Sequence, residues 1–202
     1  MENKKFKILA ASDIEGDREA TKKLANRAEK ENVDLVVLAG DLTGRHESDE
    51  ILKPFIDKGK KVVFVPGNHD SSEMSRFLTE LYGAKNVGDH YVIYDNVGIF
   101  GIGSPDGEIF MRDEKKAFEK LKKNFEKVKN LERKIMVSHL HAAGTKSEFS
   151  GVPGSIALRK AIKEFQPDIF LSGHIHEAEG LYDIIGKTKV FSIGKKGKII
   201  EI

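Results

Sequence analysis

The sequence contains no cysteine, which excludes a disulfide framework, a thiolate zinc site, an iron–sulfur cluster and a cysteine nucleophile. A chain without thiols behaves alike in oxidising and reducing surroundings, so this absence does not select a compartment. Long hydrophobic runs are also missing: the longest, such as Leu35 to Ala39, fall far short of the ~20 residues that span a bilayer. The polar segment Met1 to Lys5 leads into a short strand-like run rather than the apolar region of a signal peptide. The expectation is a cytoplasmic protein with no membrane partner. Charge of one sign is equally scarce. Lys plus Arg number 34 against 32 Asp plus Glu, a formal net charge of +2, which argues against a protein built to coat a polyanion. The lysine groups Lys115, Lys116, Lys120, Lys122, Lys123 and Lys195, Lys196, Lys198 read as solvated surface.

What is present fits one domain over residues 1–202, with 39% hydrophobic residues and enough length to bury a core without covalent staples. Phe6 to Ala11 reads as a strand, and Arg18 to Glu31 as a helix with Ala20, Leu24, Ala25 and Ala28 on one face. Leu35 to Ala39 is apolar throughout, as a parallel strand buried on both faces should be, and a helix is expected over Ser48 to Lys58. Lys61 to Val65 and Glu73 to Tyr82 complete a third strand–helix unit. After Gly88, Tyr91 to Tyr94 and Val97 to Ile102 flank Asp95 and Asn96 as an antiparallel hairpin that starts a second sheet. Lys115 to Leu131 is helical, with Phe118, Leu121, Phe125, Val128 and Leu131 on one side. Lys134 to Ser138 and Asp168 to Ser172 are strands, Ser155 to Phe165 is a helix, and Leu181 to Ile202 holds three short strands. The sum is a layered α/β sandwich of two sheets with helices outside.

Polar residues follow the strands. Ser12, Asp13 and Glu15 come after the first, Gly40 and Asp41 after the second, and Gly67, Asn68, His69 and Asp70 after the third. Later strands end in Ser138, His139 and in Gly173, His174, Ile175, His176. The C-terminal ends of parallel strands share one rim, so these segments should meet in one crevice. Asp13, Glu15, Asp41, Asn68, His139, His174 and His176 then offer carboxylate, amide and imidazole ligands, a mix suited to Mn, Fe, Zn, Ni or Mg. The ligands exceed what one ion needs, so two ions about 3.5 to 4 Å apart and bridged by Asp41 are expected. Gly40, Gly67 and Gly173 should allow the sharp turns at the strand ends, and a turn at Gly173 would let His174 and His176 converge.

The series Gly40-Asp41, Gly67-Asn68-His69-Asp70, a lone His139 after a strand and Gly173-His174-Ile175-His176 resembles the calcineurin-like metallophosphoesterase family along the whole chain. The resemblance implies a four-layer sandwich of two mixed β-sheets flanked by α-helices. It implies one ion held by Asp13, Glu15, Asp41 and His176, and another by Asp41, Asn68, His139 and His174. It also implies that His69, oriented by Asp70, stabilises the transition state and protonates the leaving oxygen. The expected activity is hydrolysis of phosphodiesters or phosphomonoesters by in-line attack of a metal-bridging hydroxide. Manganese is the expected metal, with Fe, Ni, Zn or Mg as alternatives. One departure stands out: Glu15 occupies the position where the family has histidine, which adds negative charge and would raise the pKa of bridging water. A catalytically weak, metal-binding scaffold is therefore the second reading, and a nuclease the third.

The expected partner is a small phosphoester, a nucleotide among the candidates. Nucleic acid is not expected, and homo-oligomerisation is left open. Arg45 and His46 are candidates for contacting a substrate phosphate, His141 for a role beside the second ion, and His90 for a structural one. The segments Ser104 to Asp113 and Gly144 to Gly154 should shape the substrate pocket.

Overall fold

A computed structural model describes residues 5–44, 50–107 and 112–202. Strands β1 (Lys7–Ala11), β2 (Leu35–Ala39), β3 (Val62–Val65) and the two-residue β4 (Lys85–Asn86) run parallel in the order given, and β11 (Lys198–Glu201) lies antiparallel on the outer side of β1. The second sheet has the order β5-β6-β7-β8-β10-β9, formed by Tyr91–Tyr94, Val97–Ile102, Arg133–Ser138, Ile169–Ser172, Thr188–Ser192 and Tyr182–Ile185 respectively. Its two edges, β5 and β9, are antiparallel to their neighbours and the interior is parallel. Both sheets are thus mixed, as expected.

Alternation along each strand divides the apolar residues between two faces. Ile8, Ala10, Val37 and Val63 of the first sheet pack against Ile99, Ile135, Val137 and Leu171 of the second, forming the central layer contact. The opposite face of the first sheet, with Leu9, Val36 and Phe64, is covered by α1 (Arg18–Lys30), α2 (Lys53–Asp57) and α3 (Ser72–Tyr82). Phe100, Met136 and Phe170 of the second sheet are covered by α4 (Glu114–Val128) and α5 (Ile156–Phe165). Four layers result.

Caps set the helix starts. Asp17, Ser71, Asp113 and Ser155 each accept a hydrogen bond from the backbone N–H three residues on. The hairpin turn at Asp95 and Asn96 uses φ values of 45° and 64°, the left-handed pair that a tight two-residue turn requires. One local expectation changes, and two features had no counterpart in the sequence reading. The helix expected from Ser48 is short and begins at Lys53 after turn residues at 50–52, and its first expected residues lie outside those described. The strand Lys85–Asn86 was too short to carry a periodic signal. The last of the three tail strands leaves the second sheet and returns to the first, where Arg27 Nη1 donates to the carbonyls of Lys196 (3.1 Å) and Gly197 (3.0 Å). No helix among the described residues is long and apolar enough to cross a membrane.

Candidate metal centre

The ends of β1, β2, β3, β7 and β8 share one rim, and all seven sequence-predicted ligands meet there. Two sub-clusters are visible. In one, His139 Nε2 lies 3.0 Å from Asn68 Oδ1 and 3.2 Å from Asp41 Oδ2, and the His174 ring packs edge-on with its centroid 5.1 Å from that of His139. In the other, His176 Nε2 lies 3.5 Å from Asp13 Oδ1 and 3.9 Å from Glu15 Oε1. Asp41 sits between them: a ligand atom from each of Asp13, Asp41 and His139 falls within 4.8 Å of the others, and all three residues are buried.

The main chain is bent to make this possible. Asp13, Glu15, Asp41 and His174 all have positive φ (54°, 52°, 51° and 71°), a region that non-glycine residues seldom enter. Cross-loop hydrogen bonds hold them there, from Asp13 N to Gly40 O (3.0 Å) and from Glu15 N to Asp41 O (2.8 Å). The sharp turn expected at Gly173 is made by His174 instead. Gly173 is required for a different reason, since a Cβ there would lie 2.5 Å from Ser12 Oγ and 2.7 Å from Asp13 Oδ2. Gly67 likewise sits against Asp41, and only Gly40 among the three has positive φ, at 88°.

The donor set fits a cation. The Ala39 carbonyl can only accept, so the His139 Nδ1–H that lies 2.9 Å away donates to it. That leaves the Nε2 lone pair facing two further acceptors, the Asp41 carboxylate and the Asn68 amide oxygen. Such a set is repulsive unless the ring is protonated or a positive ion sits among the three atoms. The electrostatics carry the same tension. Burial pushes the Asp13 carboxyl above its ordinary value, against the His139 charge and the Ser12 hydroxyl. Burial acts on Asp41 too, but the hydrogen bond and charge of His139, with the His69 N–H, outweigh it and hold that carboxyl low. Burial would lower His139, and Asp41 reverses this and raises it. His174, desolvated and next to His139, falls to about 4. A neutral His174 and a neutral His139 are what ligation requires.

His69 and Asp70 divide differently from expectation. The His69 N–H donates to Asp41 Oδ1 at 2.8 Å, while its ring Nε2 stands 3.9 Å from Asp41 Oδ2 at the exposed rim. Both Asp70 oxygens are engaged by other groups: the N–H groups of Leu42 (3.0 Å), Thr43 (2.8 Å) and Gly67 (2.8 Å), and the Thr43 hydroxyl (2.8 Å). Asp70 thus pins the loop after β2 to the loop after β3. Thr43 had no sequence signal, since nothing distinguishes it from an ordinary turn residue.

Arg45 and His46 lie outside the described residues. His141 is buried, and its Nε2 lies 3.2 Å from the Val152 carbonyl, which ties it to the 144–154 segment. His90 is exposed and borders a polar cleft of about 590 Å³ between α3 and α4, together with Pro105 and Asp106. Among the described residues of the 104–113 segment, Asp106 N donates to Asp70 O (3.0 Å) and Gly107 N to Asn68 O (2.9 Å), so this loop braces the one that carries Asn68 and His69.

Known proteins share this fold. No curated protein matches the sequence. Among solved structures, TT1561 of Thermus thermophilus superposes with a TM-score of 0.78 at 18% identity, covering 98% of both chains. A dimetal phosphatase from Danio rerio gives 0.62 at 16% identity over 94% of this chain and 88% of that one. A protein described as a novel archaeal phosphodiesterase gives 0.57 at 16% identity, covering 97% and 99%. At these identities the likeness is one of fold. The sequence model of the calcineurin-like phosphoesterases, by contrast, matches residues 6–178, a span that runs from β1 past His176 and takes in every residue of the cluster, and the chain belongs to that family.

Proposed function

We propose that the chain is a phosphoesterase dependent on two divalent metal ions, hydrolysing phosphodiester or phosphomonoester bonds. The observation that carries this reading is the convergence of three acceptor atoms, His139 Nε2, Asp41 Oδ2 and Asn68 Oδ1, at 3.0 to 3.2 Å beside a second carboxylate–imidazole group. Asp13, Glu15, Asp41 and His176 would hold one ion and Asp41, Asn68, His139 and His174 the other. When bound, the ions would supply positive charge to the phosphoryl oxygens and lower the pKa of water. The chain supplies the rest. Family membership and the phosphatase and phosphodiesterase activities stated for two of the structural neighbours support the same reading.

Asp41 accepts the His69 N–H, which fixes the backbone of that loop and sets the His69 ring at the open side of the cluster. A substrate phosphoryl group over the two sub-clusters would have its leaving oxygen on that side, where the imidazole can deliver a proton. Ser12 donates to the Asp13 carboxylate, and the Ala39 carbonyl holds the His139 tautomer with Nε2 bare. Glu15 enters this arrangement as a carboxylate within reach of His176 Nε2, so the residue that departs from the family pattern stands where a ligand is needed. Hardness then favours Mn or Mg over softer metals.

The test is hydrolysis of bis-p-nitrophenyl phosphate and p-nitrophenyl phosphate by metal-stripped protein, with Mn, Ni, Mg or Zn restored singly. Restored activity is expected, and the ratio of the two rates separates diesterase from monoesterase. Metal bound without turnover on either ester would overturn the enzymatic reading in favour of a scaffold.

A further inference from the structure

The metal centre does not stop at its ligands. Asp13, Glu15 and His176 border a small cavity of about 110 Å³ whose other walls are Glu179, Gly194 and Lys195. Glu179 and Lys195 also border a larger cleft of about 480 Å³ that runs along α1 past Lys23 and Arg27 to Lys196. The two spaces thus share Glu179 and Lys195 as walls.

Cations dominate this cleft. Its three carboxylates are engaged within the fold: Asp17 caps α1 by accepting Ala20 N at 2.9 Å, Glu19 pairs with Lys22 at 2.7 Å, and Glu179 accepts Lys196 N at 2.9 Å. Four positive side chains face them. Arg27 bonds two main-chain carbonyls rather than a carboxylate, and Lys195 stands 3.7 Å from the exposed Asp17. The Ala20 N–H, with the charges of Lys195 and Lys23, outweighs burial and holds the Asp17 carboxyl below its ordinary value. The loop carrying Lys195 and Lys196 is fixed, by Ser12 N to Gly194 O (3.2 Å) and by the Arg27 bonds. Ala20 and the aliphatic stems of Lys23 and Arg27 give the cleft apolar walls beneath the charges.

We infer that this cleft is the binding site for the remainder of the substrate, and that the substrate carries a second phosphate besides the one that reacts. The inference rests on the phosphoesterase reading of the centre. An apolar-walled space lined by Lys23, Arg27, Lys195 and Lys196 suits an organic group that bears a second phosphate, such as a phosphorylated nucleoside, whereas an uncharged alcohol would bring these cations no counter-charge. It also gives the Lys195, Lys196 pair a role beyond solvation.

The test compares a p-nitrophenyl nucleotide ester with the same ester bearing a second phosphate on its sugar, using manganese-loaded protein. In parallel, equilibrium binding of a nucleoside monophosphate and a nucleoside bisphosphate is measured at low and high salt. The second phosphate should lower KM, and tighten binding, about ten-fold, the worth of one charge-assisted contact. The gain should shrink with salt and vanish in the double variant Lys23→Gln, Lys196→Gln. It should persist in Lys122→Gln, Lys127→Gln, which removes equal charge from α4. No preference for the second phosphate while both esters are hydrolysed overturns the inference and leaves the enzymatic reading standing. A salt- and Lys196-dependent binding preference without turnover keeps the cleft and overturns the enzymatic reading instead.

Discussion

Replacing His69 by alanine should separate proton delivery from metal retention, because the residue touches Asp41 in two different ways. Its main-chain N–H donates to Asp41 Oδ1 at 2.8 Å, and its ring Nε2 lies 3.9 Å from Asp41 Oδ2, beyond hydrogen-bond reach. Alanine keeps the first contact and removes the second. The side chain is 51% exposed, so truncation opens no cavity, and stability should change by less than about 0.5 kcal/mol. Bound metal per chain should be unchanged. Turnover should not, since a positioned general acid contributes ~10²–10⁴-fold, about 2.7–5.5 kcal/mol of barrier. The loss should depend on the leaving group. An alkyl or nucleoside alcohol needs a proton as the bond breaks, whereas p-nitrophenolate departs without one, so His69→Ala should cost the alkyl ester far more. The assay pairs kcat for the two ester types with metal content by elemental analysis. Parallel loss of metal and activity, or equal loss for both leaving groups, would refute the reasoning.

Gly173→Ala places a Cβ 2.5 Å from Ser12 Oγ and 2.7 Å from Asp13 Oδ2, displacing a ligand and its hydroxyl partner. Metal affinity should fall about 10–100-fold, read by competition with a chelator, and an unchanged affinity would show that the close approach is slack. Asp70→Ala strips acceptors from three N–H groups and a hydroxyl at a residue only 3% exposed. Unfolding in urea should show a loss of about 3–5 kcal/mol, and a loss below about 1 kcal/mol would mean that water replaces the carboxylate without cost. His174 gives a pH signature in the metal-free protein. Its pKa of about 4 when folded lies below the ordinary value of 6.5, so its contribution is intact above pH 6.5 and is lost as pH falls from there towards 4. His139, with its pKa raised, works the other way, so the variant His174→Asn isolates the first effect. The acid-side slope of stability should flatten in that variant, and an identical slope would place the titration elsewhere.

The sequence carried the fold because its signals were redundant. Continuous apolar runs such as Leu35 to Ala39, one-sided helices such as that around Phe118 and Leu121, and the Asp95, Asn96 turn each agree with the layer they occupy. What it could not show depended on contacts between distant segments. The return of β11 to β1 is decided by the edge that β1 offers and by Arg27, neither of which leaves a mark near residue 198. The convergence of the candidate ligands on one rim was legible because each follows the C-terminal end of a strand. Their positioning was not: that the turn falls on His174 while Gly173 makes room for Ser12, and that Asp70 joins two loops, are properties of main chains meeting across distant parts of the chain. Lys195 and Lys196 read as surface and lie there, but only the fold brings Lys195 into one cavity wall with Glu15 and both into another with Lys23.

Four candidate ligands held at positive φ have an energetic consequence that metal binding should reveal. Each such residue costs of order 1 kcal/mol or more in an ordinary loop, and Asp13 and Asp41 add two carboxylates within 4.8 Å in a buried cluster. These costs fall on the folded chain, and an ion among the ligands would offset the repulsion between the carboxylates and stabilise the native state. A divalent ion at about a hundred times its Kd adds about 2.7 kcal/mol, and at about 2–4 °C per kcal/mol for a chain of this size the melting temperature should rise by about 5–11 °C. Asp41→Asn should abolish most of that rise, because it removes the carboxylate shared by the two sub-clusters. Differential scanning calorimetry with Mn²⁺ and with chelator measures both. A wild-type melting temperature indifferent to the ion, or an Asp41→Asn variant that keeps the full rise, would show that the bent loops are held for packing rather than for ligation.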